Sequence, residues 1–329
     1  MLVSAELTNR LLKKLCAQDP SLEGDARRMA DLSRTALRNP ASLAVDDEDR
    51  AFIALDKAVA CARRELDDMA DEPGSGTTPE GMHLTRTRAQ LNRCLALDPH
   101  CYDARTLLIL SADTTQEVAI DQLGALAEEA RLWCAERSRA YDGATVDAWD
   151  AVFLRPWLRI EAKIIDLLVA CACYREALER CRVLLKGSPA DGQGIRHTAA
   201  LILARLEDEK GLDELDALFS RAGSTWMHLA RAMLLYKLGR TDAARRATLG
   251  LAELCPGAAY YLTYPSYVPP YLPDRPPFTP GSEYESLYAT FEADFLVVDT
   301  PDFVPWANSL TAFSKAAEKY GRTHGDDLE

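Results

Sequence analysis

The sequence has little histidine, five residues in 329, and no long apolar run of the roughly 18 to 20 residues that a bilayer-crossing helix requires. Its first residues, Met1-Leu2-Val3-Ser4-Ala5-Glu6, show no basic segment leading into an apolar stretch. Neither secretion nor membrane insertion is expected. Positive charge is also scarce: 38 Lys and Arg face 51 Asp and Glu, and the resulting −13 repels phosphate backbones and anionic lipid surfaces. Nucleic acid and membrane are therefore not expected as partners. The nine cysteines are odd in number and scattered, without the paired spacings of a disulfide framework or a zinc site. They read as small packing groups in a reducing, cytoplasmic setting.

Catalytic signatures are scarce too. No nucleophile elbow or other local signature surrounds a serine or cysteine. Gly192-Gln193-Gly194 lacks the preceding strand and the further glycines or Gly-Lys-Ser/Thr ending of a phosphate loop. The better reading of that stretch is a helix start, with Asp191 as cap and Gln193 or Arg196 bonding across the turn. Cys94, His100 and Cys101 lie close together but have no second Cys/His pair to complete a tetrahedral site. The acidic run Asp46-Asp47-Glu48-Asp49 reads as a solvated helix start. No catalytic residue, cofactor or metal is expected.

What the chain has is helical periodicity. Apolar residues recur at intervals of three and four through most of its length, whereas alternating Val/Ile/Thr runs are nearly absent. The expected class is all-α, with helices over 4–18, 22–38, 47–70, 82–97, 101–112, 114–140, 156–172, 174–187, 192–207, 211–222, 224–238, 241–254, 283–298 and 302–320. Short breaks such as Gly223-Ser224 and Gly239-Arg240 fold neighbours into antiparallel hairpins. Two longer breaks divide the chain. Residues 71–79 form a turn-rich link, and Pro256 to Ser282 carries eight prolines and five tyrosines, read as an extended segment packed along the helices. The expected regions are an amino-terminal cap or divergent repeat (1–80), a divergent repeat (81–150) and a repeat array with terminal helices (151–329).

Two stretches share a register. Ala177 is followed by Cys181, Leu184 and Pro189, and Ala244 by Thr248, Leu251 and Pro256. A small residue lets two helices approach, and proline stops the second and turns the chain into the next unit. Ala177 and Ala244 are 67 positions apart, near twice the roughly 34-residue period of tetratricopeptide repeats, and Leu215, Phe219 and Ala222 fit a copy between them. Leu91, Cys94 and Pro99 match the end of the same pattern. The chain thus resembles tetratricopeptide-repeat proteins, which implies an α-α superhelix of stacked hairpins. Over roughly 150–310, Arg155-Pro156-Trp157-Leu158-Arg159, Asp191-Gly192-Gln193-Gly194-Ile195-Arg196, Pro276-Pro277-Phe278-Thr279-Pro280-Gly281-Ser282-Glu283, Thr300-Pro301 and Trp306 make it similar to bacterial relatives of the suppressor-of-tumorigenicity-seven family. Those relatives carry Asp-Asn-Gln-Gly and an aromatic after the Arg, where this chain has Gly192 and His197. The resemblance implies a scaffold-like role.

If Ala177 and Ala244 mark second-helix crossings, residues fifteen and eighteen places earlier fall on the inner side of the array. This reading gathers Arg159, Asp166, Arg196, His197, Trp226, Leu229, Met233 and Tyr236 into a partner-binding groove for an extended segment or helix, anchored by Trp226 and Arg196. The competing reading makes the Trp226 stripe an ordinary core face. The expected function is a protein-binding scaffold or adaptor, with a regulatory domain or subunit of an enzyme complex as the alternative.

Overall fold

A computed structural model describes residues 2–70 and 84–324, and every regular element among them is helical. The link expected at 71–79 lies outside the described residues. No described helix is long and apolar enough to cross a membrane. The chain divides into two compact units, one of Met1–Leu167, Lys186–Gln193 and Pro269–Pro276, the other of Leu168–Leu185, Gly194–Val268 and Pro277–Glu329.

The first unit holds α1 (Leu2–Gln18), α2 (Ala26–Arg38), α3 (Asp47–Ala70), α4 (Thr85–Leu97), α5 (Tyr102–Leu110), α6 (Gln116–Tyr141) and α7 (Arg155–Ala170) as far as Leu167. Local chemistry sets the starts. The Asp25 carboxylate accepts the N–H groups of Arg27 and Arg28 at the head of α2, satisfying donors that no helical carbonyl can reach. Ala51, Leu55, Ala58 and Ala62 recur on one face of α3 and are buried with Leu11 of α1 and Leu91 and Cys94 of α4. Burying a leucine this fully contributes roughly 1.5–3 kcal/mol. The 3₁₀ turn Pro20–Gly24 replaces the expected opening of α2, because the α-helical cap is provided by Asp25.

The second unit holds α8 (Tyr174–Gly187) as far as Leu185, α9 (Ile195–Arg205), α10 (Glu209–Leu218), α11 (Thr225–Lys237), α12 (Thr241–Leu254), α13 (Ala258–Thr263), α14 (Glu283–Glu292), α15 (Asp294–Asp299), α16 (Phe303–Ser309) and α17 (Thr311–His324). α11 lies at its centre, packed on α9, α12 and α14. Ser224 caps it by accepting the Met227 N–H, and Gly239, at φ +70°, turns the chain so that α12 folds back on it. Ala177, Cys181 and Leu184 on α8 and Ala244, Thr248 and Leu251 on α12 are all buried, so the two helices spend the same register positions on packing. The intervening stretch departs from this. Leu215 is buried, but α10 ends at Leu218, and Phe219 and the exposed Ala222 lie beyond it because Ser220 and Arg221 adopt positive φ.

Three further differences from the sequence expectation have local causes. Part of the proline- and tyrosine-rich segment is helical: Gly257, at φ +80°, opens α13, while 264–282 hold no helix or strand. Tyr264 and Tyr267 are about half exposed, at 56% and 49%, since a phenol tolerates water at its polar end. The helix expected over 283–298 breaks at Ala293, and the one over 302–320 at Leu310, whose backbone is extended. Just before that second break the Ser309 hydroxyl bonds back to the Trp306 carbonyl, a local competitor to helix continuation.

Candidate functional site

The first turn of α9 places Arg196 and His197. The N-cap position of α9 is Gly194, left-handed at φ +78°. Asp191, three residues before it, sits in a turn closed by its own N–H onto the Ser188 carbonyl. Gln193 bonds to α7, its amide donating to the Leu158 carbonyl at 3.1 Å. Gly192 is required by space, because a Cβ there would stand 2.3 Å from Trp149 Cδ1.

Arg196, His197, Ala200, Phe219, Ser224 and Met227 line a hollow of about 330 Å³, its open mouth included. Its floor is fixed. The buried His197 ring stacks on Trp226 at 4.1 Å, and Phe278 approaches the indole at 5.1 Å. Trp226 Nε1 donates to Glu292 Oε2 at 2.9 Å. The wall is more open, with the Arg196 guanidinium held over the Phe219 ring at 4.8 Å. His197 Nδ1 lies 3.4 Å from Ser224 Oγ, but that hydroxyl already accepts the Met227 N–H as the cap of α11, a structural use of the oxygen.

The eight sequence candidates separate. Arg196, His197, Trp226, Leu229, Met233 and Tyr236 belong to the second unit, and Arg159 and Asp166 to the first. Trp226, Leu229 and Met233 have no exposed surface. Tyr236 is partly buried against Phe303 and Trp306. Asp166 is exposed and pairs with Lys163 at 3.0 Å. Arg159 is 3% exposed and sits at the centre of an ionic cluster. Its Nε and Nη2 each donate to an Asp103 oxygen at 2.7 Å, and its Nη1 and Nη2 reach Glu6 at 2.8 and 3.1 Å.

Burial alone would raise the Glu6 carboxyl, but Arg159 and Arg10 outweigh it and hold it down to about 2. Burial would likewise depress Arg159, yet Asp103 and Glu6 raise it well above its ordinary value. The acidic run expected to be solvated is mostly engaged as well. Asp46, Glu48 and Asp49 surround the buried Lys14 ammonium at 2.8–2.9 Å, and only Asp47 remains exposed. Desolvation opposes the Lys14 charge, but these carboxylates raise its pKa above the ordinary value.

The first unit has its own hollow, about 360 Å³ with its mouth, lined by Arg10, Phe52, His100, Tyr102, Trp133 and Arg137. His100 stacks on Trp133 at 3.8 Å and 9°, with Arg137 over the same indole at 4.7 Å. The thiol of Cys134 in its wall is pushed by burial to about 12 and that of Cys94 nearby to about 11, so neither is a nucleophile near neutrality. Among the described residues no three His, Cys, Asp or Glu side chains are grouped to hold a metal ion.

Sequence reasoning missed Glu6, Lys14, Asp103 and Asp274. The one available signal was Asp274-Arg275, an isolated charge pair in the otherwise uncharged stretch 254–282. Comparison with protein-family models, curated proteins and solved structures finds no match to this chain.

Proposed function

We propose that the chain is a cytoplasmic helical-repeat scaffold or adaptor that holds a protein or peptide partner, built from tetratricopeptide-like hairpins and related over its carboxy-terminal half to the bacterial relatives of the suppressor-of-tumorigenicity-seven family. The observation that carries this reading is the hollow at the start of α9, where Arg196 and Phe219 stand over a floor already locked by the His197–Trp226–Phe278 stack. Arginine and aromatic side chains dominate binding energy in interfaces, and a floor that needs no rearrangement loses little entropy on binding. The shared burial register of α8 and α12 supports the repeat reading.

Trp226, Leu229 and Met233 act in this proposal as the support of the site and not as its contact surface. Arg196 is therefore the residue to change. Affinity purification with the wild-type chain and with Arg196→Glu, both of equal helicity by circular dichroism, tests the assignment. The expected result is at least a tenfold loss of a specific partner with Arg196→Glu. Equal recovery of every bound protein would remove the hollow from consideration.

A further inference from the structure

Residues 269–276 belong to the first unit, although the stretches on both sides of them belong to the second. This strap has no helix or strand to hold it, so its side chains and a few backbone groups must do so. Leu272 is buried in the apolar core with α3 and α4. The Leu272 carbonyl accepts from Arg63 Nη2 at 2.7 Å, and Arg275 Nη1 donates to the Gln193 carbonyl at 3.2 Å. A further anchor is Asp274, and its position is poor for an anion.

Asp274 lies beside two carboxylates, Glu6 of α1 and Asp103 of α5, and all three pair with Arg159 of α7. The guanidinium spends its short bonds on Glu6 and Asp103, leaving Asp274 Oδ2 a contact of 3.4 Å, the longest of the five. Asp274 Oδ1 is buried and accepts no hydrogen bond. The other cations around the cluster bond groups other than Asp274. Arg10 and Arg155 reach Glu6, Lys163 pairs with Asp166, and Arg63 and Arg275 bond backbone carbonyls. A carboxylate wants donors at both oxygens, whereas a neutral carboxylic acid needs fewer and repels neither neighbour.

We propose that Asp274 is a pH-operated latch: as a neutral carboxylic acid it seats residues 269–276 on the first unit, and as a carboxylate it releases them. Burial pushes its carboxyl from the ordinary 3.8 up to about 6, with Arg159 pulling against the rise and Glu6 and Asp103 adding to it. A seated strap therefore binds the proton more tightly than a free one. The advantage of the seated state is complete below pH 3.8 and is lost as pH rises through 6. The difference sets a ceiling of about 100-fold on the change in the seated-to-free ratio. Release uncovers the apolar seat of Leu272.

Hydrogen exchange of a peptide spanning 269–276, corrected for the intrinsic pH dependence of amide exchange, reads this ratio between pH 4 and 8 in the full chain. In the wild type, protection at Leu272 and Asp274 is expected to fall between tenfold and 100-fold from pH 4 to about pH 6 and to stay level above pH 7. Asp274→Asn, which cannot ionise, is expected to stay protected throughout. A pH-independent wild type, or an Asp274→Asn chain with the same pH profile as the wild type, overturns the latch. Should that variant fail to fold, carboxyl-carbon NMR of the wild type decides: a midpoint for Asp274 near 6 supports the proposal, and one at or below 4 overturns it.

Discussion

The two units solve burial with different chemistry. The first hides charge: Glu6, Arg10, Lys14, Asp49, Asp103 and Arg159 are each no more than 5% exposed and are satisfied by one another. The second hides rings. His197 stacks on Trp226, Tyr236 meets Phe303 and Trp306, and Tyr260 and Tyr261 pack on Tyr320. Its buried polar groups are mostly neutral hydroxyls, and its buried Glu285 accepts the backbone N–H groups of Thr225 and Gly281. A buried ion pair is weak evidence of stability but a strong constraint on register, because removing one partner leaves an uncompensated charge. Ring contacts have no such penalty and fade gradually as they are trimmed. The first unit should therefore fail abruptly and with pH, the second gradually and largely without it.

The largest expected effect tests the first half of that contrast. Arg159→Met leaves Glu6 and Asp103 buried without their cation and is expected to cost the first unit about 3–5 kcal/mol, read from urea-dependent hydrogen exchange of α1 and α5 peptides. A loss under 1 kcal/mol would mean that the cluster is hydrated and does not set the register. Acid gives the next effect. Glu6 is depressed in the folded chain, so its stabilisation is present above pH 4.5 and lost as pH falls toward 2. That loss is about 3 kcal/mol in the first unit, with the second changing less, and Glu6→Gln should flatten it.

The second unit gives the smaller effects. Trp226→Phe removes the Glu292 bond and part of the stack, and is expected to cost about 2 kcal/mol in thermal or urea unfolding at any pH from 5 to 8. A strong pH dependence would blur the contrast between the units. Tyr261→Phe loses only its 3.0 Å contact with the Tyr320 hydroxyl, which keeps Glu283 as acceptor at 2.8 Å. About 1 kcal/mol is expected from the same melts.

Much of the helical architecture was legible, because three- and four-residue periodicity and turn residues such as Gly239 act over a few positions. The burial of Ala177, Cys181 and Leu184 and of their counterparts on α12 could be read from spacing for the same reason. The charged cluster could not. Arg159 meets Asp103 across 56 positions, Asp274 across 115 and Glu6 across 153, and no local pattern distinguishes a carboxylate bound for a buried cation from one bound for water. Register in a hairpin alone places Arg159 with the groove residues, whereas its partners come from other helices and from the strap. The breaks at Ala293 and Leu310 escaped because neither carries the glycine or proline that marks a helix end.

The two carboxylates of α14 that reach α11 have a practical consequence for anyone shortening this chain. Glu285 takes the N–H of Thr225 and Glu292, two turns further on, takes the indole N–H of Trp226. Cutting the polypeptide before residue 283 would strip both acceptors at once, so a clone ending there would damage the middle of the second unit and not merely trim its edge. Boundaries for expression belong after α17, and a loss of binding seen with shorter versions says nothing about where the partner sits.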